Sequence, residues 1–225
     1  MPPSLASPPP ATLQSSAALG SPTGIASTYS AVFAPELFVL LCGLIALGYE
    51  WRRASRRSLA GLAARIGVLG VGWGVAFAVY QGLPRLLAAA PAWTTDATGS
   101  VGLGAGLLVI RGWWRRAGWG AVVPEYALVL VAVTVPHLVI TPVWDVSSHV
   151  LYAVVPAGVL TLVDRRAAPL VVVALGMVVA RPLAGAHTWG ESIGGLALGV
   201  AALAVYVSVG GFDDPSRADT SSRRP

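Results

Sequence analysis

Lysine does not occur in this sequence, cysteine occurs once, and only 11% of the residues carry charge. Each shortage excludes something. Soluble domains carry about one quarter charged residues, so a surface clothed for water cannot be assembled from this chain. Without a lysine amine there is no Schiff base to a retinal, which removes the photoreceptor or pump that a seven-helix count would otherwise invite. Cys42 has no partner for an intramolecular disulfide, and its place in an apolar run marks a packing residue rather than a reactive thiol. Also missing are a glycine loop of the nucleotide-binding type, a Gly-x-Ser-x-Gly elbow and a basic stripe interleaved with aromatics, so no nucleic-acid partner is expected.

What is present is apolar. Hydrophobic residues make up 55% of the 225, the mean hydropathy is +0.70, and every basic side chain is Arg. With about 20 residues needed per crossing, the chain has room for six or seven. The expected fold is an all-α membrane protein, a polytopic bundle of six to seven transmembrane helices. Apolar segments fall at 31–49, 59–80, 97–110, 121–140, 148–163, 168–183 and 190–210, each bounded by Arg clusters, Pro or Gly. The third is short and Gly-rich and needs residues 91–96 to reach across. The fifth and sixth are also short, which places their outer ends below the membrane surface or along a polar cavity.

Residues 1–28 are uncharged and rich in Pro, Ser and Ala, a composition read as a flexible tail without the basic start of a signal peptide. The transmembrane domain is expected over 29–210, and a polar cytoplasmic tail over 211–225. Arg52, Arg53, Arg56 and Arg57 follow the first segment; Arg111, Arg115 and Arg116 the third; Arg165 and Arg166 the fifth; Arg217, Arg223 and Arg224 the seventh. Seven crossings put all of these on one side. Basic loops stay in the cytoplasm, so the expectation is a multi-pass protein of the cell membrane with its N-terminus outside.

On that topology His137, His149 and His187, with Asp145, Arg181 and Glu191, gather at the non-cytoplasmic face. Ionisable groups beside a membrane span are hypotheses about function. Asp145 stands where it would cap the helix that begins near Ser147, Ser148 and His149, and a helix start suits an anion. The plainer alternative for that segment is capping alone. His187 and Glu191 lie four apart, on one face if the turn is helical, so that the carboxylate holds one imidazole nitrogen and leaves the other to attack. Arg181 offers a planar charge for a phosphoryl group. Its plainer alternative is an interfacial Arg paired with Glu191 beside a belt residue, Trp189.

In order and spacing the two segments resemble the second and third motifs of the type 2 phosphatidic acid phosphatase superfamily, Pro-Ser-Gly-His and Ser-Arg-x5-His-x3-Asp. Arg181, His187 and Glu191 match the third, with Ala180 for Ser and Glu for Asp; Ser147, Ser148 and His149 resemble the end of the second, with Val146 for Pro and Ser148 for Gly. Two apolar segments joined at Asp164 separate them, and the resemblance covers about residues 120–210. The family's first motif, Lys-x6-Arg-Pro, has only Thr141-Pro142 in its place, so Arg85 or His137 would have to substitute for its cations.

The resemblance implies a metal-independent lipid-phosphate phosphatase without a cofactor. His187 would be the nucleophile that forms a phosphohistidine, Glu191 its orienting carboxylate, and His149 the acid and then the base. Arg181 with Ser147 and Ser148 would hold the phosphate, and Asp145, His137 and Arg85 would be accessory. The implied substrate is a lipid monophosphate or isoprenoid diphosphate, taken from the bilayer on the non-cytoplasmic side. Two other readings stand beside it: a non-catalytic relative that has lost the first motif, and an intramembrane hydrolase with His137, His149 and His187 around zinc. The glycines at 194, 195 and 199 are expected to serve close helix packing.

Overall fold

The structure is a computed structural model that describes residues 20–55, 57–86 and 93–211. Its elements are helices α1 (Pro22–Val32), α2 (Pro35–Arg53), α3 (Leu59–Leu86), α4 (Thr94–Ala117), α5 (Val122–Ile140), α6 (Ser148–Val163), α7 (Pro169–Leu183) and α8 (Trp189–Ser208), with a short 3₁₀ turn at Arg165–Ala167. No strand occurs among the described residues. Helices α2 to α8 correspond one for one to the seven apolar segments, since Pro at the starts of α2 and α7 and Arg at the ends of α2 and α4 punctuate the chain where helices begin and stop.

Four helical stretches are long and apolar enough to cross a bilayer: Leu59–Arg85, Val122–Ile140, Arg165–Leu183 and Trp189–Ser208. A fifth arises if α1 and α2, which meet at 48°, form one broken span. This is fewer than the six to seven expected. Helix α4 is diluted by Thr94, Thr95, Asp96, Ser100 and its glycines. Helix α6, at 16 residues, is only about 24 Å long against a hydrocarbon core of about 30 Å.

The expected tail ends earlier than residue 28. Ser21 caps α1 by accepting from the Gly24 N–H at 3.0 Å, Pro22 supplies the first-turn φ, and the Tyr29 hydroxyl donates to the Val173 carbonyl of α7 at 2.7 Å. Low charge does not prevent a helix that has a cap and a neighbour. Residues 1–19 and 212–225, and with them Arg56, Pro91, Arg217, Arg223 and Arg224, lie outside the described residues.

Helix α6 is the axis of the bundle: it packs on α2, α5, α7 and α8, and most of its side chains are buried. Around it α3 and α4 approach until backbones nearly touch. A Cβ on Gly102 would meet the Ala76 carbonyl at 2.5 Å, so only glycine fits. At one end of the bundle the Glu50 carboxylate is buried and accepts from Trp114 Nε1 at 2.7 Å and from the Val123 N–H at 3.1 Å, binding the end of α2 to the end of α4 and the start of α5. Arg65 lies over the Trp119 ring beside it. Arg52, Arg53, Arg115 and Arg116 sit at this end, and the histidines at the other.

Candidate functional site

The segment Thr141–Ser147 links α5 to α6, and backbone hydrogen bonds fold it back on itself. His137, in the last turn of α5, is fully buried; its Nε2 lies 3.2 Å from the Val146 carbonyl and its Nδ1 3.2 Å from Ser100 Oγ of α4. A carbonyl only accepts, so Nε2 carries the proton and Nδ1 accepts from the Ser100 hydroxyl. Both ring nitrogens are therefore spent on holding this link, and His137 has none to offer as a substitute for the missing cations. Arg85 does not replace them either: it is exposed near the end of α3, and no contact joins it to the cluster among the described residues.

The cap of α6 differs from expectation. Ser147, not Asp145, occupies the N-cap position, and no side chain caps the helix. The Ser147 N–H donates to the Glu191 carbonyl at 3.1 Å, which ties the start of α6 to the start of α8 and removes that N–H from service to an anion. The next N–H groups, of Ser148 and His149, bond to no carbonyl among the described residues, as the first turn of a helix dictates. Desolvation, then the Asp96 carboxylate, pushes the Asp145 carboxyl above its ordinary value, against the opposing pull of His187.

His187 precedes α8 rather than lying in it. Thr188 is the N-cap, accepting from the Glu191 N–H at 3.2 Å, and Glu191 at the third helical position returns its carboxylate to the Thr188 N–H at 2.7 Å, a reciprocal capping box. The same oxygen, Oε2, lies 3.3 Å from His187 Nδ1. Glutamate suits this geometry because its extra methylene lets one carboxylate cap the helix and reach the imidazole. The His187 side chain is 4% exposed and that of Glu191 23%.

Arg181 closes the last turn of α7, half-buried. Its charge and that of His187 both act on His149. Asp96, in the first turn of α4, was not singled out by sequence, yet its charge reaches His137, Asp145 and Arg181. It and Ser192, buried next to Glu191, are the additions the fold makes to the cluster. Asp96 lies on a helix without any motif, and only packing reveals it; Ser192 was visible as a polar residue adjoining the motif.

Four buried polar atoms at this end have no hydrogen-bond partner among the described residues: Ser147 Oγ, His149 Nδ1, Arg181 Nε and Ser192 Oγ. Native interiors leave few such groups unsatisfied. No group of three or more His, Cys, Asp or Glu among the described residues is placed to hold a metal, so the three histidines do not form the zinc site weighed above. The arrangement offers an oriented imidazole, a second imidazole with a free nitrogen, a guanidinium, and hydroxyls with spare capacity. No protein-family model, curated protein or solved structure matches the chain.

Proposed function

We propose that this chain is a membrane-embedded phosphatase of lipid phosphates that works through a phosphohistidine at His187. The observation that carries the reading is the coincidence of the four unpartnered buried polar atoms with an imidazole already oriented by a carboxylate. A phosphoryl group has the acceptor oxygens that Arg181, Ser147 and Ser192 lack.

With Nδ1–H donated to Glu191, His187 presents the Nε2 lone pair. That pair attacks phosphorus in line, the P–O bond to the lipid breaks, and His149, which takes up a proton only when the bound phosphate offsets the charges of Arg181 and His187, gives that proton to the departing alkoxide. His149, now neutral, takes a proton from water; the hydroxide attacks phosphorus, the P–N bond breaks, and its electron pair returns to His187 as inorganic phosphate leaves. Glu191 stabilises the imidazolium character of His187 in between, while Arg181 and the first N–H groups of α6 stabilise the equatorial oxygens. In this account the bundle crosses the membrane seven times, α4 and α6 included, with the Arg-bearing helix ends in the cytoplasm and the site at the outer face of the cell membrane.

One observation favours a second reading, a non-catalytic lipid-phosphate-binding relative. The charges that act on Arg181 are those of the Asp96 and Asp145 carboxylates, which compete with a phosphate for it. Phosphate release from a panel of lipid phosphates, by purified protein in detergent with EDTA, separates the two. Release that disappears in His187→Ala supports the phosphatase. Binding without release supports the relative.

A further inference from the structure

Beside the cluster lies a cavity of about 200 Å³, walled by α3, α4 and the starts of α2 and α6. Trp73, Phe77 and Tyr80 of α3 and Leu103 of α4 give it an aromatic and apolar lining, and Ser148 and His149 with the carboxylates of Glu36 and Asp96 supply its polar groups. Phe77 is 46% exposed on the outer side of α3, so the lining runs on to the surface that faces lipid. A cavity of about 150 Å³ encloses a benzene ring. The volume here, about 200 Å³, accommodates a short run of one hydrocarbon chain.

The two ends of the cavity define what fits between them. A molecule that places a phosphoryl group beside His149 and Arg181 and extends into the cavity must carry one chain directly on the phosphate side of the molecule. The rim residue Asp96 adds a second condition. It lines the cavity together with Glu36 and His149, and a second phosphoryl group there would meet carboxylates rather than a cation.

From this geometry we infer that the cavity between α3, α4 and α6 is the chain-binding half of the site, and that its occupant is a single-chain lipid monophosphate, Asp96 rejecting diphosphates. The inference rests on the phosphate site proposed above and narrows its substrate. It also assigns a role to α3 and α4, which lie outside the motif-bearing part of the chain.

The test is photolabelling of the full chain in detergent with a single-chain alkyl monophosphate carrying a diazirine a few carbons from the phosphate, with labelled peptides mapped by mass spectrometry. Label is expected on Leu59–Leu86 and Thr94–Ala117. The unlabelled monophosphate should compete about ten-fold better than the matching diphosphate or a diacyl phosphate, a ratio of one favourable charge or a few methylenes. Gly99→Leu, whose new Cβ would make ordinary contact with the Tyr80 ring at 3.8 Å and whose remaining atoms would fill the cavity, should cut labelling about ten-fold. Asp96→Asn should bring the diphosphate close to the monophosphate. Label confined to α7 and α8, or equal competition by all three lipids, would overturn the inference. Phosphate release does not enter this readout: specific label on α3 and α4 without release by wild type would remove the phosphatase and keep the cavity, whereas release with label elsewhere would do the opposite.

Discussion

The backbone N–H of Ser147 donates to the backbone carbonyl of Glu191 across 3.1 Å, and this bond joins the two segments that carry the candidate chemistry. Its surroundings make it rigid. A Cβ on Gly195 would stand 2.7 Å from the Ser147 carbonyl, and one on Gly194 would meet the Trp144 ring at 2.7 Å. Gly195→Ala is therefore expected to push α8 from the start of α6 and cost about 1–3 kcal/mol. Phosphate release should fall with it, because His187 and His149 part. Thermal unfolding in detergent and a release assay check both, and Gly190→Ala, with a new Cβ no closer than 3.8 Å to any atom, should change neither.

Glu191 has two tasks on one oxygen, and substitutions separate them. Glu191→Gln retains much of the reach to the Thr188 N–H but loses the charge that fixes His187. Release should fall about 10²-fold or more, with a stability loss of about 1 kcal/mol. A Gln variant with wild-type turnover would show that His187 needs no carboxylate.

The two histidines at the ends of the α5–α6 link should respond in opposite ways. His137→Ala takes the acceptor of the Ser100 hydroxyl proton and the donor to the Val146 carbonyl from a buried place, at a cost of about 2–3 kcal/mol. His149, whose Nδ1 has no partner, should give up activity on mutation to Ala with little loss of melting temperature. Paired melting and release measurements on the two variants check this.

At the far end of the bundle, Glu50→Ala leaves Trp114 Nε1 and the Val123 N–H without an acceptor. A loss of about 2–4 kcal/mol is expected. Because the change is remote from His187, the protein that remains folded should release phosphate at the wild-type rate per molecule, measurable by normalising to the folded fraction.

Asp145 sets a pH dependence. Its carboxyl is raised by desolvation and Asp96, so the folded chain holds a proton that the unfolded chain gives up sooner. Stability then falls as pH rises from the ordinary carboxylate value through the raised one, and is restored below both. Asp145→Asn should remove that slope, which melting curves from acid to neutral pH would show.

The helices were legible because charge and proline mark their ends: Arg52 and Arg53 close α2, Arg115 and Arg116 close α4, and Pro169 opens α7. Helix α1 was missed since it offers neither charge nor a long apolar run, and the contact that orders it, Tyr29 on Val173, spans distant parts of the chain. The pairing of His187 with Glu191 was legible from spacing, although it arises through a capping box and not a shared helical face. Asp96 and the engaged nitrogens of His137 were not, because both depend on how α4 packs against α5 and α6.

The central claim is a covalent one, and the most direct measurement is mass spectrometry of the protein quenched in alkali during turnover of a lipid monophosphate, with EDTA present. A phosphoryl group is expected on His187, present in wild type and absent in His187→Ala. Phosphate release with no modified histidine, or with the phosphoryl group on another residue, would contradict it.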